Sequence, residues 1–136
     1  MFDPERPPEI IAQRWLNSDT KRTLKAEKGK VVIVAIWQLA CPGSQKYGLP
    51  QAMRLRRAFE EDEVAVLGLH MAFENFAEQL PDKVEAYLVE NEITIPVALD
   101  KRDKPTTAMP DAANRRWKLS RCCRTRTVVG AATTAW

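Results

Sequence analysis

Residues 29 to 44 read Gly-Lys-Val-Val-Ile-Val-Ala-Ile-Trp-Gln-Leu-Ala-Cys-Pro-Gly-Ser, and this stretch decides the fold. Its apolar run, residues 31 to 37, is rich in β-branched side chains and carries no charge. Continuous apolarity, in place of alternation, predicts a strand covered on both faces, as at the centre of a parallel or mixed sheet. Cys41 and Pro42 then follow at the point where this strand gives way to a helix.

Two further apolar runs predict strands on the carboxyl-terminal side of this stretch. They are residues 64 to 71 (VAVLGLHM) and residues 93 to 99 (ITIPVAL). Pro96 removes one hydrogen-bond donor from the second run, which predicts an edge position, a bulge or a strand end. Beyond Asp100 the pattern fades, and only residues 125 to 129 resemble a strand.

Helical patterns fill the gaps between these strands. One helix is predicted over residues 44 to 60, with a kink at Gly48 and Pro50, and a second from residue 76 or 81 to residue 91. A helix is also expected over residues 8 to 16. The resulting order β, α, β, α, β predicts an α/β fold in which helices pack on a sheet through right-handed crossovers.

The composition fits one soluble domain with a core of its own. The chain has 136 residues, of which 45% are hydrophobic, and no run approaches the ~20 apolar residues that a membrane span needs. The charged, proline-rich start contains no secretory signal, so a cytoplasmic location is expected. The three cysteines, Cys41, Cys122 and Cys123, do not form the framework of a disulfide-rich secreted protein.

The charge is distributed unevenly along the chain. Residues 1 to 100 carry 12 basic and 16 acidic side chains, a balance of −4, whereas residues 101 to 136 carry 9 and 2, a balance of +7. We therefore divide the chain into a domain, residues 1 to 110, and an atypical basic tail, residues 111 to 136. The arginines of the tail are scattered among Ala, Thr and Cys without interleaved aromatic residues, which does not favour nucleic acid as a partner. Either a shifted reading frame near residues 115 to 120 or a divergent tail explains this composition.

Cys41 occupies a position suited to a reactive thiol. It lies just past the carboxyl end of the most apolar strand, where ligands and nucleophiles of open α/β sheets are found. Unpaired amide groups at the start of the following helix favour a thiolate and lower a thiol pKa from its usual value of about 8.5. Pro42 fits the first helical turn, because its missing N–H would have had no partner. The alternative is that Cys41 is a small buried apolar residue.

Several segments together carry a family resemblance. They are RWLN at 14 to 17, LKAEKGKVVIV at 24 to 34, WxxxCPGS at 37 to 44 and GLP at 48 to 50. These segments resemble the thioredoxin-like redoxins, most closely the TlpA/ResA type of thiol-disulfide oxidoreductase, which is related to the AhpC/TSA redoxins. The resemblance covers roughly residues 14 to 110. It implies a thioredoxin-like fold, a central mixed sheet flanked by helices, with Cys41 as the nucleophile and Trp37 in the active-site surface. The alternative for Trp37 is ordinary core packing.

Three departures from the family pattern change the expected chemistry. Ser44 stands where the second cysteine of C-x-x-C is expected, and a serine hydroxyl cannot release a mixed disulfide. The acidic residue expected in the next helical turn is missing, since positions 45 to 47 are Gln, Lys and Tyr. His70, the only histidine, is the candidate for proton handling, its alternative being a structural role. After Asp111 neither the Thr-Pro loop nor the paired strands of the family are found, so the C-terminal hairpin is expected to be incomplete.

Two functional hypotheses follow from the sequence. The first is a redox protein with Cys41 and Ser44 as catalytic positions, in which a mixed disulfide, or the product of peroxide chemistry, is resolved by an external thiol. The second is a non-catalytic thioredoxin-like module that binds a partner through the same surface. The binding surface is predicted to comprise Trp37, Pro42, Gly43 and His70, without metal or cofactor. The expected partner is a small thiol or a disulfide-bearing protein, and the open sheet edge could recruit a second chain.

Overall fold

The computed structural model describes residues 8–72 and 74–100, together with the backbone of one strand near the carboxyl terminus. The strands are β1 (Ala12–Leu16), β2 (Val31–Trp37), β3 (Val64–His70), β4 (Val97–Asp100) and β5 (Thr127–Ala131). The helical elements are a π-helical segment (Ser44–Gly48), α1 (Leu49–Ala58), a 3₁₀ helix (Phe76–Glu78) and α2 (Pro81–Glu90). In the described part of the chain, no helix has the length and apolar character that crossing a membrane requires.

The five strands form one mixed sheet in the order β1-β4-β3-β2-β5. The central strands β2, β3 and β4 run parallel, and β1 and β5 are antiparallel to their neighbours at the two edges. This arrangement confirms the predicted α/β fold with a central mixed sheet. Strand β5 pairs with β2 and forms the edge of the sheet on that side.

The two faces of the sheet bury different sets of side chains, because successive residues of a strand point to opposite sides. On one face, Ile33 and Ala35 belong to a buried cluster that includes side chains of both α1 and α2. On the other face, Val32 and Val34 pack in a second cluster with Ile10 of the amino-terminal segment. Both faces of β2 are therefore covered, as its continuous apolar sequence predicted.

The helix predicted over residues 8 to 16 is wrong. The structure has strand β1 there, paired with β4 so that Trp15 lies opposite Ala98. Asn17 ends the strand in the left-handed region, with φ of 56°, and its amide donates hydrogen bonds to the carbonyls of Ile93 at 2.7 Å and Ile95 at 3.1 Å. The prediction failed because the partner strand lies some eighty residues away, and a local pattern does not reveal it.

The strand predicted over residues 93 to 99 is shorter and later than expected. It begins at Val97, immediately after Pro96, because proline cannot supply the ladder hydrogen bond. Of the three alternatives for Pro96, the strand end is therefore confirmed, while the edge position is wrong, since β4 lies between β1 and β3. The strand predicted at 64 to 71 ends one residue early, at His70.

The helix predicted over residues 44 to 60 ends at Ala58 and is irregular where a kink was expected. The irregularity takes the form of the π-helical segment, in which the N–H of Leu49 donates to the carbonyl of Ser44. Pro50, in the first turn of α1, has no N–H to continue the regular ladder, which accounts for the break at this point. The predicted second helix is confirmed as α2 from Pro81, the later of its two expected starts.

The tail is described only through β5. This strand begins at Thr127, two residues after the predicted start. The described residues do not include the boundary between residues 110 and 111, the segment for which a shifted reading frame or a divergent tail was considered, or Cys122 and Cys123. The prediction that the C-terminal hairpin is incomplete also concerns residues outside the described part of the chain.

A buried carboxylate holds the turn that leads into β2. The Glu27 side chain accepts a hydrogen bond from Arg22 Nε at 2.7 Å and another from Lys30 Nζ at 3.0 Å. Burial acts to raise the pKa of Glu27, but the hydrogen bonds from Lys30 and Arg22 outweigh it and the pKa is lowered. The turn is therefore fixed by charge as well as by Gly29, which has φ of 94°.

Candidate functional site

The candidate site lies where the parallel strands β2 and β3 end at the same edge of the sheet. Trp37, the last residue of β2, is paired in register with His70, the last residue of β3. The chain then crosses a short loop, residues 38 to 40, before Cys41 and the first helical turn. Parallel strands place their carboxyl ends together, which is how residues far apart in the sequence meet here.

Cys41 lies immediately before the first helical turn. Its N–H donates to the carbonyl of Gln38 at 3.2 Å, and its own carbonyl accepts the N–H of Gln45 at the same distance. The residue is only 2% exposed. The sequence correctly placed Cys41 at the strand end, and its burial is the feature expected of the alternative, a small buried apolar residue. The reactivity of its thiol stays a prediction.

Ser44, one helical turn after Cys41, is also buried, at 3% exposure. Its hydroxyl accepts a hydrogen bond from the N–H of Gln38 at 3.4 Å, so the side chain contacts the loop that precedes Cys41. Pro42 is exposed and Gly43 is half-buried. Of the motif Cys-Pro-Gly-Ser, the two outer side chains thus face inward and Pro42 faces solvent.

Trp37 and His70 are in direct contact beneath the loop. Both are buried, and their rings meet edge to face with centroids 5.0 Å apart. Tyr87 of α2 stands 6.0 Å from the Trp37 ring on another side, and burial raises the pKa of its phenol. Trp37 therefore joins β2, β3 and α2 in a packed core position, and its Nε1 is buried without a hydrogen-bond partner.

His70 contacts the loop through its Nε2 atom, which accepts a hydrogen bond from the N–H of Leu39 at 3.4 Å. The sequence placed His70 correctly at this edge. What the structure adds is that the ring supports the backbone two residues before Cys41.

Sequence reasoning missed Gln79, which is 3% exposed and lies between the 3₁₀ helix and α2. Its Oε1 atom accepts the N–H of Leu39 at 3.0 Å, and its Nε2 atom donates to Oε1 of Gln38 at 3.4 Å. Gln45 reaches the same loop from the other side, donating to the carbonyl of Leu39 at 2.6 Å. No spacing or motif marks Gln79, because its contacts are with residues about forty positions earlier.

A carboxylate does reach the loop, although not from the expected helical turn. Glu74 accepts a hydrogen bond from Nε2 of Gln38 at 3.4 Å. In the expected turn Tyr47 is 64% exposed, with Lys46 Nζ 5.4 Å from the centre of its ring. Among the described residues, no group of three or more His, Cys, Asp and Glu side chains could hold a metal ion.

Comparisons with known proteins identify relatives of this chain. No protein-family model matches the chain. The protein DipZ of Mycobacterium bovis and that of Mycobacterium tuberculosis are each 30% identical to it over 105 residues, which cover 76% of this chain. The chain spans only 14% of the length of DipZ, so the likeness concerns one segment of a much larger protein.

Two solved structures resemble the chain over most of its length. The thioredoxin-like superfamily protein SPOA0173 is 38% identical, with a TM-score of 0.75, over 82% of this chain and 71% of that protein. A thiol-disulfide isomerase from Corynebacterium glutamicum is 32% identical, with a TM-score of 0.73, over 82% of this chain and 70% of that one. The parallel strands, the cysteine at the helix entrance and these relatives agree, and the chain belongs to the thioredoxin-like superfamily of thiol-disulfide oxidoreductases.

Proposed function

We propose that this protein is a thioredoxin-like redox protein with one reacting cysteine at its motif, Cys41, which depends on an external thiol to complete its cycle. The observation that carries the proposal is the position of Cys41 at the helix entrance beyond β2, with Ser44 one turn later where a second thiol would stand. A thiolate at this place is favoured by the amide groups of the helix start. Ser44 offers a hydroxyl there, which accepts or donates a hydrogen bond but forms no disulfide.

The exchange proceeds in three balanced steps, of which the first two involve Cys41. The Cys41 thiolate attacks one sulfur of a disulfide; a bond forms between Cys41 and that sulfur, the original S–S bond breaks, and the leaving thiolate takes up the proton that Cys41 gave up. A small external thiol then attacks the mixed disulfide and restores Cys41 while its own sulfur becomes disulfide-bonded. A second external thiol reduces that product, so that one disulfide is reduced for each pair of thiols oxidised.

A peroxide is the other electrophile that the same thiolate can attack. An S–O bond then forms, the O–O bond breaks, and an alcohol or water leaves, with Cys41 converted to a sulfenic acid. One external thiol displaces water from the sulfenic acid to give a mixed disulfide, and a second restores Cys41. Both routes share the need for external thiols, because Ser44 resolves neither intermediate.

The need for external thiols also supports the location predicted from the sequence. A monothiol cycle runs where a pool of reduced thiols is maintained, as in the cytoplasm, and less readily in an oxidising compartment. We therefore propose a cytoplasmic location. Fractionation of cells that produce the tagged chain checks it, and recovery in an extracytoplasmic fraction contradicts it.

The second candidate, a thioredoxin-like module that binds a partner without catalysis, is favoured by the burial of the motif. Cys41 and Ser44 are 2% and 3% exposed, respectively. In this conformation neither side chain meets a large disulfide substrate without a local movement. The reaction of Cys41 with a small disulfide therefore discriminates between the two functions.

The direct test uses a parent variant in which Cys122 and Cys123 are both replaced by serine, so that Cys41 is the sole thiol. We expect oxidised glutathione to convert this parent to a mixed disulfide, visible by mass spectrometry and reversed by reduced glutathione. The pH dependence of alkylation is expected to give a Cys41 thiol pKa below the ordinary value of about 8.5. The same parent with Cys41→Ser is the control. A pKa at or above the ordinary value, with no mixed disulfide and no thiol-dependent peroxide consumption, refutes the redox function.

A second experiment restores the missing thiol. In the same parent, Ser44→Cys is expected to create an internal disulfide with Cys41 and a gain in disulfide reductase activity. Ser44→Ala is the matched control, because it loses the hydrogen bond to the Gln38 N–H without gaining a thiol. If Ser44→Cys forms the disulfide but reduces no substrate, other parts of the site are inactive, which favours the binding module.

A further inference from the structure

The backbone of Leu39 is hydrogen-bonded through both its N–H and its carbonyl. Its N–H lies 3.0 Å from Gln79 Oε1 and 3.4 Å from His70 Nε2, and its carbonyl accepts the Gln45 amide at 2.6 Å. Leu39 stands two residues before Cys41, whose own N–H is bonded to the carbonyl of Gln38. The position of Cys41 is thus linked to these hydrogen bonds through two peptide units.

Gln79 is the member of this set that comes from outside the motif and its two strands. Its side chain is fixed at both ends, with Oε1 on Leu39 and Nε2 on the Glu74 carbonyl and Gln38 Oε1. A buried amide is costly unless its donors and acceptor are bonded, so these contacts define one orientation of the side chain. These hydrogen bonds connect the segment before α2 to the 38 to 40 loop. Breaking them removes the shorter of the two hydrogen bonds that the Leu39 N–H donates.

We propose that Gln79 is a positioning residue that holds the 38 to 40 loop closed and thereby sets how often the Cys41 thiol becomes accessible. The proposal deepens the proposed function and rests on it, because Cys41 is 2% exposed and must emerge before it attacks a disulfide. Opening is local: residues 38 to 40 move away from Gln79, while the sheet beneath stays folded. The rate of exchange then depends on the free energy of this opening as well as on the chemistry of the thiol.

The test measures the opening without requiring redox activity. In the parent whose sole thiol is Cys41, the rate of alkylation by iodoacetamide is followed against urea concentration under native conditions. Gln79→Met, which keeps the length of the side chain but neither donates nor accepts, is expected to raise this rate about tenfold, the change that one buried hydrogen bond produces. The rate should depend only weakly on urea, because a local opening exposes little surface.

Two control variants separate local from global effects. Gln51→Met changes an exposed glutamine of α1 in the same way and is expected to leave the alkylation rate unchanged. Ile95→Val removes one buried methyl group from the core and destabilises the whole domain. If Gln79→Met alters alkylation only as Ile95→Val does, in proportion to global unfolding and with its full urea dependence, the positioning role is refuted.

Amide hydrogen exchange supplies a spectroscopic readout that a purely structural role would not move. In Gln79→Met the Leu39 N–H should lose protection and change its chemical shift, while the Ile33 N–H in β2 keeps its protection relative to global stability. In the parent itself, Leu39 exchange and Cys41 alkylation should report the same opening equilibrium, which keeps the proposal testable if Gln79→Met fails to fold. Different values for the two overturn it.

Failure of the proposed function is distinguishable from failure of this inference. If the loop opens as expected but oxidised glutathione never forms a mixed disulfide, Gln79 controls access to a thiol that is alkylated but does not take part in disulfide exchange. If the mixed disulfide forms at a rate that Gln79→Met leaves unchanged, Cys41 is a redox thiol and Gln79 does not position it.

Discussion

Gly68 is the residue whose replacement most directly tests the packing beneath the site. It lies in the central strand β3, paired with Ala35 of β2 on one side and Val97 of β4 on the other. A Cβ atom added to Gly68 would stand 2.9 Å from Val97 Cγ2 and 3.4 Å from Trp37 Nε1. Ordinary contacts begin at 3.4 Å, so the Val97 methyl group would have to move by 0.5 Å, the difference between 3.4 and 2.9 Å.

Gly68→Ala is therefore expected to destabilise the domain. Overpacking a dense core costs typically about 1–3 kcal/mol. The lower chain entropy of alanine in the unfolded state offsets about 0.5–1 kcal/mol of this cost. From the middle of both ranges, the net loss of unfolding free energy is about 1 kcal/mol, which lowers the urea midpoint by roughly 0.5–1 M for a slope of about 1–2 kcal/mol/M.

A double-mutant cycle with Val97→Ala identifies the cause. Val97→Ala alone leaves a cavity and costs about 1–3 kcal/mol, but it also removes the methyl group that the new Cβ meets. The two changes together should cost at least about 1 kcal/mol less than the sum of the separate costs. Gly29→Ala is the comparison: it is strained by a φ of 94° yet meets nothing within 4 Å, so it should add to Val97→Ala without coupling. A Gly68→Ala variant as stable as the parent, or strictly additive with Val97→Ala, refutes this account of the packing.

Three other predictions concern the frame around the site. Asn17→Ala should lower the unfolding free energy by about 1–2 kcal/mol, because it loses two hydrogen bonds and a side chain that tolerates φ of 56°. Asn17→Gly loses the same hydrogen bonds but adopts this φ freely, so it should lower the unfolding free energy by less. Because the pKa of Glu27 is lowered in the fold, its contribution to the unfolding free energy is complete at neutral pH and is lost in acid below about pH 4. Glu27→Gln should lower the unfolding free energy, measured with urea at pH 7, by about 1.5–3 kcal/mol and make it depend less on pH in the acid range. An unchanged dependence on acid pH would contradict this prediction. In a Tyr47→Phe variant, the Tyr87 phenol of the folded protein should titrate by ultraviolet absorbance at higher pH than in the urea-unfolded chain, because its pKa is raised by burial. The contribution of Tyr87 to the unfolding free energy is complete below the unfolded pKa and falls as pH rises through the folded value. Coincident titration curves for the folded and unfolded chain would refute the raised pKa.

Much of the fold could be predicted from local patterns. The strands β2 and β3 are continuous apolar runs, and α2 begins with proline, so each is visible within a window of about ten residues. Strand β1 could not be predicted, because its five residues alternate weakly and owe their conformation to pairing with β4. The start of β4 was misplaced because the apolar run at 93 to 99 shows burial, and Ile93 and Ile95 are indeed buried outside the strand.

The candidate site likewise combines features that local sequence predicts with features that depend on tertiary contacts. Cys41 and Ser44 could be assigned to the motif because strand, loop and helix follow one another along the chain. Trp37 was correctly expected near the site, although it is packed among His70 and Tyr87 rather than displayed at the surface. Roles for all of these residues stay predictions until Cys41 is tested.

The sequence by itself determined the order of the central elements and the presence of Ser44 three residues after Cys41, since both are properties of consecutive residues. Only the tertiary structure decided that Cys41 is buried and that Gln79, forty residues away, bonds the Leu39 N–H beside it. The physical reason is that a buried polar side chain requires hydrogen-bond partners. For Gln79 these partners are available only because the residues that precede α2 pack against the loop that follows β2. Reactivity at such a site therefore depends on contacts that no local pattern contains.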